Sequence, residues 1–314
     1  MRGQRSYTTV LLVAFLVACG SIGALGAEEK LPGWLGEVPP RDRKYTVEVL
    51  GWAPRAFLFH NFLSEEEADY MVKLATPAML ASTVVDSSTG NSVSSSIRTS
   101  SGTFLQKAQD EVIENIERRI AEASMVPEDQ GEGLQILHYQ KGQKYEAHYD
   151  FFHDKFNATP DKGGQRIATM LMYLSTPEAG GETVFPTSKA PAWQNQDDMS
   201  TCAKRGLAVK AKKGDALLFW SLKPDGTEDT SSLHAGCPVI RGDKWSATKW
   251  MHVANFGGGG AAAARKSGKC EDANPNCKGW AGLGECTNNP VYMLDNCIKS
   301  CNKCPTKGAK KVPK

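Results

Sequence analysis

The residues of this chain best placed to do chemistry lie in two short segments. In YEAHYDFFHD, His148 and Asp150 form an H-x-D pair; well downstream, in SSLHAGCPVI, stands a further histidine, His234. Residues two apart on a strand point to the same face. One extended segment can therefore present an imidazole beside a carboxylate, and a second strand can bring His234 to them. Two histidines and one carboxylate on one side of a metal leave its remaining positions open, the arrangement of a non-haem Fe(II) site that works with O2. An isolated H-x-D is more often a surface pair with nothing bound, so the surroundings decide.

Those surroundings include Lys244, in RGDKWSATKWMHV. This stretch reads as a strand following a tight turn at Arg241-Gly242-Asp243. Lys244, Ser246, Thr248, Trp250 and His252 have one parity and would share one face. A lysine facing inward is costly to bury without a partner charge; an anionic cosubstrate would supply one, whereas a solvated lysine at a strand end would need none.

Taken together, HYQKGQKYEAHYD, GGETVFP, AKKGDALLFW, HAGCPVI and KWSATKWMHV resemble the prolyl 4-hydroxylases of the Fe(II)/2-oxoglutarate dioxygenase superfamily. The likeness is strongest to the plant and green-algal type that modifies secreted, proline-rich cell-wall proteins, and it runs over roughly residues 45–256. It implies a double-stranded β-helix. It also implies that His148, Asp150 and His234 bind Fe(II), and that Lys244 pairs with the distal carboxylate of 2-oxoglutarate, assisted by Tyr139 and Thr183. It further implies O2 as second cosubstrate, release of succinate and CO2, hydroxylation of proline C4, and L-ascorbate to maintain the iron. The substrate it implies is an extended polyproline II peptide in an aromatic-lined groove. Tyr145, Trp250 and His252 would supply ring contacts; Arg98, Ser100, Glu132, Gln135 and Arg166 would hydrogen-bond the peptide. Two other functions share these residues: hydroxylation of lysine at the same metal, and peptide binding without catalysis. His60, His138 and His153 fall outside the constellation by motif or parity.

The elements that must position these residues follow from the pattern of the chain. VEVLGWAPRAFLFHNFL reads as strand, turn, strand. Ser64 before Glu65-Glu66-Glu67 opens a helix that stops before Pro77. Ser82 to Thr103, rich in serine and threonine, reads as a long loop or a lid. Leu105 to Ser124 predicts an amphipathic helix. LQILHYQ alternates, with Gln135, Leu137 and Tyr139 on one face, and RIATMLMYL is a buried strand. GLAVKAKKGDALLFW reads as two strands around Lys213-Gly214-Asp215. Helices first and many short strands later predict an α+β, mainly β fold: a jelly-roll core with flanking helices.

Composition bounds the rest. The chain has 314 residues, is 40% hydrophobic and carries a net charge of +2, which gives no reason to expect nucleic acid as a partner. Arg2 and Arg5 before VLLVAFLVAC, then small residues to Ala27, form a secretory targeting sequence over residues 1–27, read either as a cleaved signal or as an uncleaved type II membrane anchor. Both place the chain in the secretory pathway, in the endoplasmic reticulum or Golgi lumen. Residues 28–44 read as a stem, 45–256 as the catalytic domain, 257–268 as a Gly/Ala linker, 269–304 as a disulfide module and 305–314 as a basic tail.

Of nine cysteines, Cys19 lies in the targeting segment. Six cluster with the spacing C-x6-C-x8-C-x10-C-x3-C-x2-C, a disulfide framework rather than paired zinc knuckles. Spacing alone leaves their pairing open. The block resembles the ShK toxin-like module, which implies Cys270–Cys304, Cys277–Cys297 and Cys286–Cys301. Cys202 and Cys237 are expected to pair within the main domain. Asn157-Ala158-Thr159 is a glycosylation sequon.

Overall fold

The computed structural model describes residues 43–256, apart from residues 86, 87, 89, 91 and 155, and residues 270–272, 277–282, 284–288, 293 and 297–304. The segments expected to be targeting sequence, most of the stem, linker and tail lie outside these residues. Among the described residues no helix is long and apolar enough to cross a membrane.

In chain order the strands are β1 Thr46–Trp52, β2 Arg55–His60, β3 Leu80–Ala81, β4 Thr83–Val85, β5 Ser92–Ser94, β6 Ser101–Leu105, β7 Leu134–Tyr139, β8 Tyr145–His148, β9 Arg166–Tyr173, β10 Ala179–Gly180, β11 Thr183–Phe185, β12 Leu207–Val209, β13 Ala216–Trp220, β14 His234–Gly236, β15 Val239–Arg241 and β16 Lys244–His252. Two helices, α1 Glu65–Ala75 and α2 Glu111–Ser124, lie between β2 and β7. Eight strands form a large sheet in the order β1-β2-β13-β9-β16-β7-β6-β3, and four form a small one in the order β12-β11-β14-β8. Every pairing is antiparallel, and the crossed strand order is that of a jelly roll.

Tyr173 and Leu217 of the large sheet meet Phe185 and Leu207 of the small one in a closed apolar core. Beside this core the two sheets line a cavity shared by Leu137, Thr169, Leu171, Thr183, Phe219 and Lys244.

The outer face of the large sheet carries the helices. α1 starts where expected: the Ser64 hydroxyl accepts from Glu67 N, and the Glu67 carboxylate accepts from Ser64 N, closing a capping box. The helix ends at Thr76, where Pro77 begins a short 3₁₀ turn. α2 begins at Glu111, capped by Asp110. It is therefore six residues shorter than the amphipathic pattern predicted: Leu105 belongs to β6, and residues 106–110 form a turn, with Ala108 at φ 46°, that ends in the Asp110 cap. Ser82–Thr103 is likewise not loop throughout: it contains β4 and β5, which pair with each other, and the start of β6.

Buried ion pairs tie the helices together and to the sheet. Arg119 of α2 donates to both oxygens of Glu67 of α1 at 2.8 and 3.0 Å, and Lys249 of β16 pairs with Glu117 of α2. Lys249 thus points outward while its neighbours Thr248 and Trp250 point into the cavity.

In the C-terminal block, α3 Cys277–Gly282 and α4 Glu285–Asn288 pack around Cys277, Met293 and Cys297. The disulfides join Cys202 to Cys237, Cys270 to Cys304, Cys277 to Cys297 and Cys286 to Cys301.

Candidate active site

Chain pairing brings the two sequence segments together. β14 lies against β8 with His234 opposite His148. Asp150 is not on the strand with His148: β8 ends at His148, and Asp150 lies two residues beyond it in a bend. The strand-parity argument therefore predicted the right neighbours through a geometry that the chain does not adopt. The three side chains each bring one ligand atom within 4.8 Å of the others. His148 Nε2 is 3.6 Å from Asp150 Oδ1, and His234 Nε2 is 3.7 Å from Asp150 Oδ2.

Hydrogen bonding settles which ring nitrogens face the carboxylate. His148 Nδ1 donates to the Glu146 carbonyl at 2.7 Å, and His234 Nδ1 donates to the Ser232 carbonyl at 3.0 Å. A carbonyl only accepts, so both Nδ1 atoms carry a proton, and Nε2 is the atom each ring turns toward a metal. Burial, reinforced by the facing His234, pushes His148 down to about 3 and keeps it neutral. Burial alone would raise Asp150; His234, His148, Arg166 and the Thr169 hydroxyl outweigh it and hold the group below the usual carboxylate range. Two imidazoles and one carboxylate are a donor set that fits Fe(II) and leaves positions open.

Lys244 lines the same cavity. It is 3% exposed and lies opposite Tyr139 on β7. Its Nζ is 5.5 Å from the Tyr139 ring and 5.7 Å from the Tyr173 ring. It makes no ion pair among the described residues. Burial pushes it down to about 8, against a raising pull from Glu182. A buried cation among tyrosines, facing a cavity, fits a carboxylate-bearing ligand. Thr183, on β11 of the small sheet, faces the same cavity and accepts from the Tyr173 hydroxyl at 3.0 Å. An oxygen that accepts from Tyr173 is left to donate its own proton to the ligand.

The remaining predicted groove residues divide. Tyr145 stacks on His148, ring centroids 3.5 Å apart, with the Arg98 guanidinium 4.7 Å from the Tyr145 ring centroid. Arg98 already donates to the Thr83 carbonyl and to Gln135 Oε1. Ser100 donates to Ser82 Oγ. Trp250 lines the cavity with its indole N–H unpaired, and its ring lies 4.0 Å from the Arg166 guanidinium. Arg166 is ion-paired at 2.7 Å with Glu132, which burial would raise but which Arg166 and His252 bring down to about 2.

His252 departs from the reading of a shared face. A register shift between Met251 and His252 turns its ring away from the cavity. It is fully buried, hydrogen-bonded to Glu132 and the Gly164 carbonyl and stacked on Phe256. It holds Glu132 rather than offering a ring to a peptide.

Among the other histidines, His153 is exposed, His138 stacks on Trp245, and His60 bridges Glu48 and Asp215. Asn157 Nδ2 donates to the Gly90 carbonyl and to Asp154 Oδ2, contacts that a glycan at that nitrogen would displace.

Two contributors escaped the sequence reading. Thr169 donates to Asp150 Oδ2 at 2.6 Å, and Tyr173 orients Thr183. Both sit inside the apolar run of β9, where a lone polar residue among hydrophobic ones was the only available signal.

Comparison with known proteins agrees with this geometry. Residues 134–252 match the family model of the 2OG-Fe(II) oxygenase superfamily, and residues 269–304 match that of the ShK domain-like family. Probable prolyl 4-hydroxylase 3 of Arabidopsis thaliana is 60% identical over 214 residues, 67% of this chain and 73% of that protein. Probable prolyl 4-hydroxylase 7 of the same plant is 51% identical over 265 residues, 82% of each. A solved viral collagen prolyl hydroxylase from Paramecium Bursaria Chlorella virus-1, in a 2OG complex, is 28% identical and covers 62% of this chain and 94% of that one, at a TM-score of 0.45. With its His148–Asp150–His234 cluster and this degree of identity, the chain belongs to the prolyl 4-hydroxylases of the 2OG-Fe(II) oxygenase superfamily, a peptidyl-proline 4-hydroxylase that works with Fe(II) and 2-oxoglutarate and carries a ShK-like domain at its C-terminal end.

Proposed function

We propose that the protein hydroxylates prolines of secreted, proline-rich polypeptides of the cell-wall type, presented in polyproline II form, within the lumen of the secretory pathway. His148, Asp150 and His234 hold the metal, and Lys244, Tyr139 and Thr183 receive 2-oxoglutarate. The observation that carries this assignment is the Lys244 ammonium, buried without a carboxylate ion-pair partner among the described residues, in the cavity that also holds the His–Asp–His cluster. When bound, Fe(II) with 2-oxoglutarate and O2 supplies the oxidising power, releasing succinate and CO2 and delivering one oxygen atom to proline C4.

The chain's own residues bind, orient and exclude water. His148 and His234 present Nε2 to the metal because their Nδ1 protons are committed to backbone carbonyls. Thr169 fixes Asp150 from beneath. Lys244 neutralises the distal carboxylate of the cosubstrate, where low polarity makes the attraction strong. Tyr145 and Trp250 form apolar walls that restrict water at the reacting carbon. L-Ascorbate keeps the metal reduced. Residues 1–27 deliver the chain to the lumen as signal or anchor, residues 28–44 act as stem, and residues 257–268 link the catalytic domain to the ShK-like domain.

The test is hydroxylation of poly-proline and Ser-Pro repeat peptides, with the added oxygen located by mass spectrometry. His148→Ala, Asp150→Ala and His234→Ala should each abolish turnover and weaken Fe(II) binding. Near-normal hydroxylation by any folded variant removes that residue from the metal site.

A further inference from the structure

Glu182, the residue before β11, is 3% exposed and has no role in the reading above. Both of its carboxylate oxygens are used: one accepts from Ser200 N and the other from Ser200 Oγ, each at 2.9 Å. Ser200 leads into the 3₁₀ turn Ala203–Arg205. Its Oγ accepts from Ala203 N at 3.2 Å, and its carbonyl accepts from Lys204 N at 3.0 Å. Within this stretch Cys202 is bridged to Cys237, and Cys237 N donates to the Glu182 carbonyl at 2.8 Å. Side chain, turn, disulfide and backbone therefore close a ring that begins and ends at Glu182.

The ring reinforces a short junction. β11 and β14 are joined over two residue pairs, Thr183 with Gly236 and Val184 with Ala235, yet one strand carries Thr183 and the other His234. The same segment runs beside Lys244. At Gly181, where φ is 72°, a Cβ would lie 3.4 Å from Lys244 Cδ, so the lysine stem passes along the backbone next to Glu182. Other titratable groups surround the ammonium. Tyr139 of β7 and Tyr173 of β9 present their rings to it, and Arg98, Tyr145, His148, Asp150 and His234 line the cavity it faces. Burial pushes the lysine down, and Glu182 is the group whose charge pulls it back up.

We propose that Glu182 is a positioning residue for 2-oxoglutarate: the Ser200 ring holds its negative charge beside the Lys244 stem, where it keeps the ammonium ready for the distal carboxylate of the cosubstrate. The inference rests on the reading of Lys244 as the cation that receives 2-oxoglutarate. Two donors from Ser200 commit the Glu182 oxygens, and Lys244 makes no ion pair among the described residues. The charge is thus near enough to favour the protonated lysine and is held back from the place the ligand must take. Without it, a lysine buried among tyrosine rings releases its proton at lower pH, and a neutral amine offers a carboxylate no charge to pair with.

The test is the pH profile of the KM for 2-oxoglutarate in the full chain. Glu182→Gln preserves the ring, because its Oε1 can accept from Ser200 N while its Nε2 donates to Ser200 Oγ. This variant should fold, bind Fe(II) as wild type does and keep kcat at saturating 2-oxoglutarate. Its alkaline limb should begin at lower pH, so that the ratio of KM near pH 9 to KM near pH 6.5 is about threefold or more above that of wild type. Ser200→Ala loosens the ring and keeps the charge, and should retain the wild-type ratio. A wild-type ratio in Glu182→Gln would make Glu182 a brace alone and overturn the proposal. An equal change in Ser200→Ala, or loss of the fold in Glu182→Gln, overturns it as well, since each would trace the effect to the ring rather than to the charge. An alkaline limb that persists in Lys244→Ala would instead overturn the reading of Lys244, and the role of Glu182 with it.

Discussion

His148 and His234 are register partners across β8 and β14, with ring centroids 4.3 Å apart and planes tilted by 56°. Each ring is pinned by the carbonyl two residues before it, Glu146 for one and Ser232 for the other. The same local device is used twice, on two strands far apart in sequence. The metal site is pre-formed to the extent that strand pairing is formed, because neither ring can rotate without losing its backbone acceptor. Each imidazole is thereby locked in the tautomer that a metal requires.

Thr169 extends this control to the carboxylate. Its hydroxyl donates to Asp150 Oδ2 at 2.6 Å, holding that oxygen and restricting the rotation of the group. Thr169→Val keeps the shape and removes the donor. Loss of such an outer contact costs about 10–100-fold in metal affinity. Anaerobic Fe(II) titration should show a weakening of that order, with kcat at saturating Fe(II) nearer to wild type. Unchanged affinity would mean that Asp150 is held adequately by its backbone.

Lys244 predicts a pH dependence of cosubstrate binding. The free group titrates at about 8, and its partner carboxylate binds the protonated form. Below that pH the apparent affinity for 2-oxoglutarate should be flat. Above it, affinity should fall about tenfold per pH unit, because binding must first take up a proton. Lys244→Ala should raise the KM for 2-oxoglutarate steeply and remove this alkaline limb. An alkaline limb that persists in the variant would assign the titration to another group.

Glu67 and Arg119 make the buried joint between α1 and α2. Glu67→Ala strands the Arg119 guanidinium, which is 1% exposed, and removes half of the α1 capping box. Breaking one partner of a buried pair costs about 3–5 kcal/mol. Denaturant unfolding should show a loss of this size, with the Fe(II) affinity of the remaining folded protein intact. A loss below about 1 kcal/mol would show that water reaches the guanidinium.

Phe256 marks where the catalytic domain can be cut. Its ring stacks on His252 at 4.4 Å, and its N–H donates to the Asp129 carbonyl. A chain ending at Phe256 should keep Fe(II) binding and hydroxylate short peptides at a similar rate. A chain ending at Val253 loses that stack, which frees His252, then Glu132, then Arg166 beside Trp250. It should melt earlier and show a raised peptide KM. Equal behaviour of the two truncations would mean that Glu132 and Arg166 hold their geometry without Phe256.

Much of the site was legible in the chain itself. Residue types at His148, Asp150, His234 and Lys244 announce their chemistry wherever they are placed. The Ser64 cap with Glu67, the apolar run of β9 and the crowded cysteines act over a few residues, so local patterns suffice to read them. What the chain does with distant partners was not legible. Asp150 meets the histidines from a bend rather than a strand. Ser101–Leu105 became a strand because β7 lies beside it, and α2 starts only after the Asp110 cap. One register shift before His252 moved that ring from the cavity to Glu132. In each case a one-residue change of register reverses which face a side chain meets. That register is set by hydrogen bonds between strands many residues apart, so no local pattern within β6, β7 or β16 specifies it, and only the folded sheet decides.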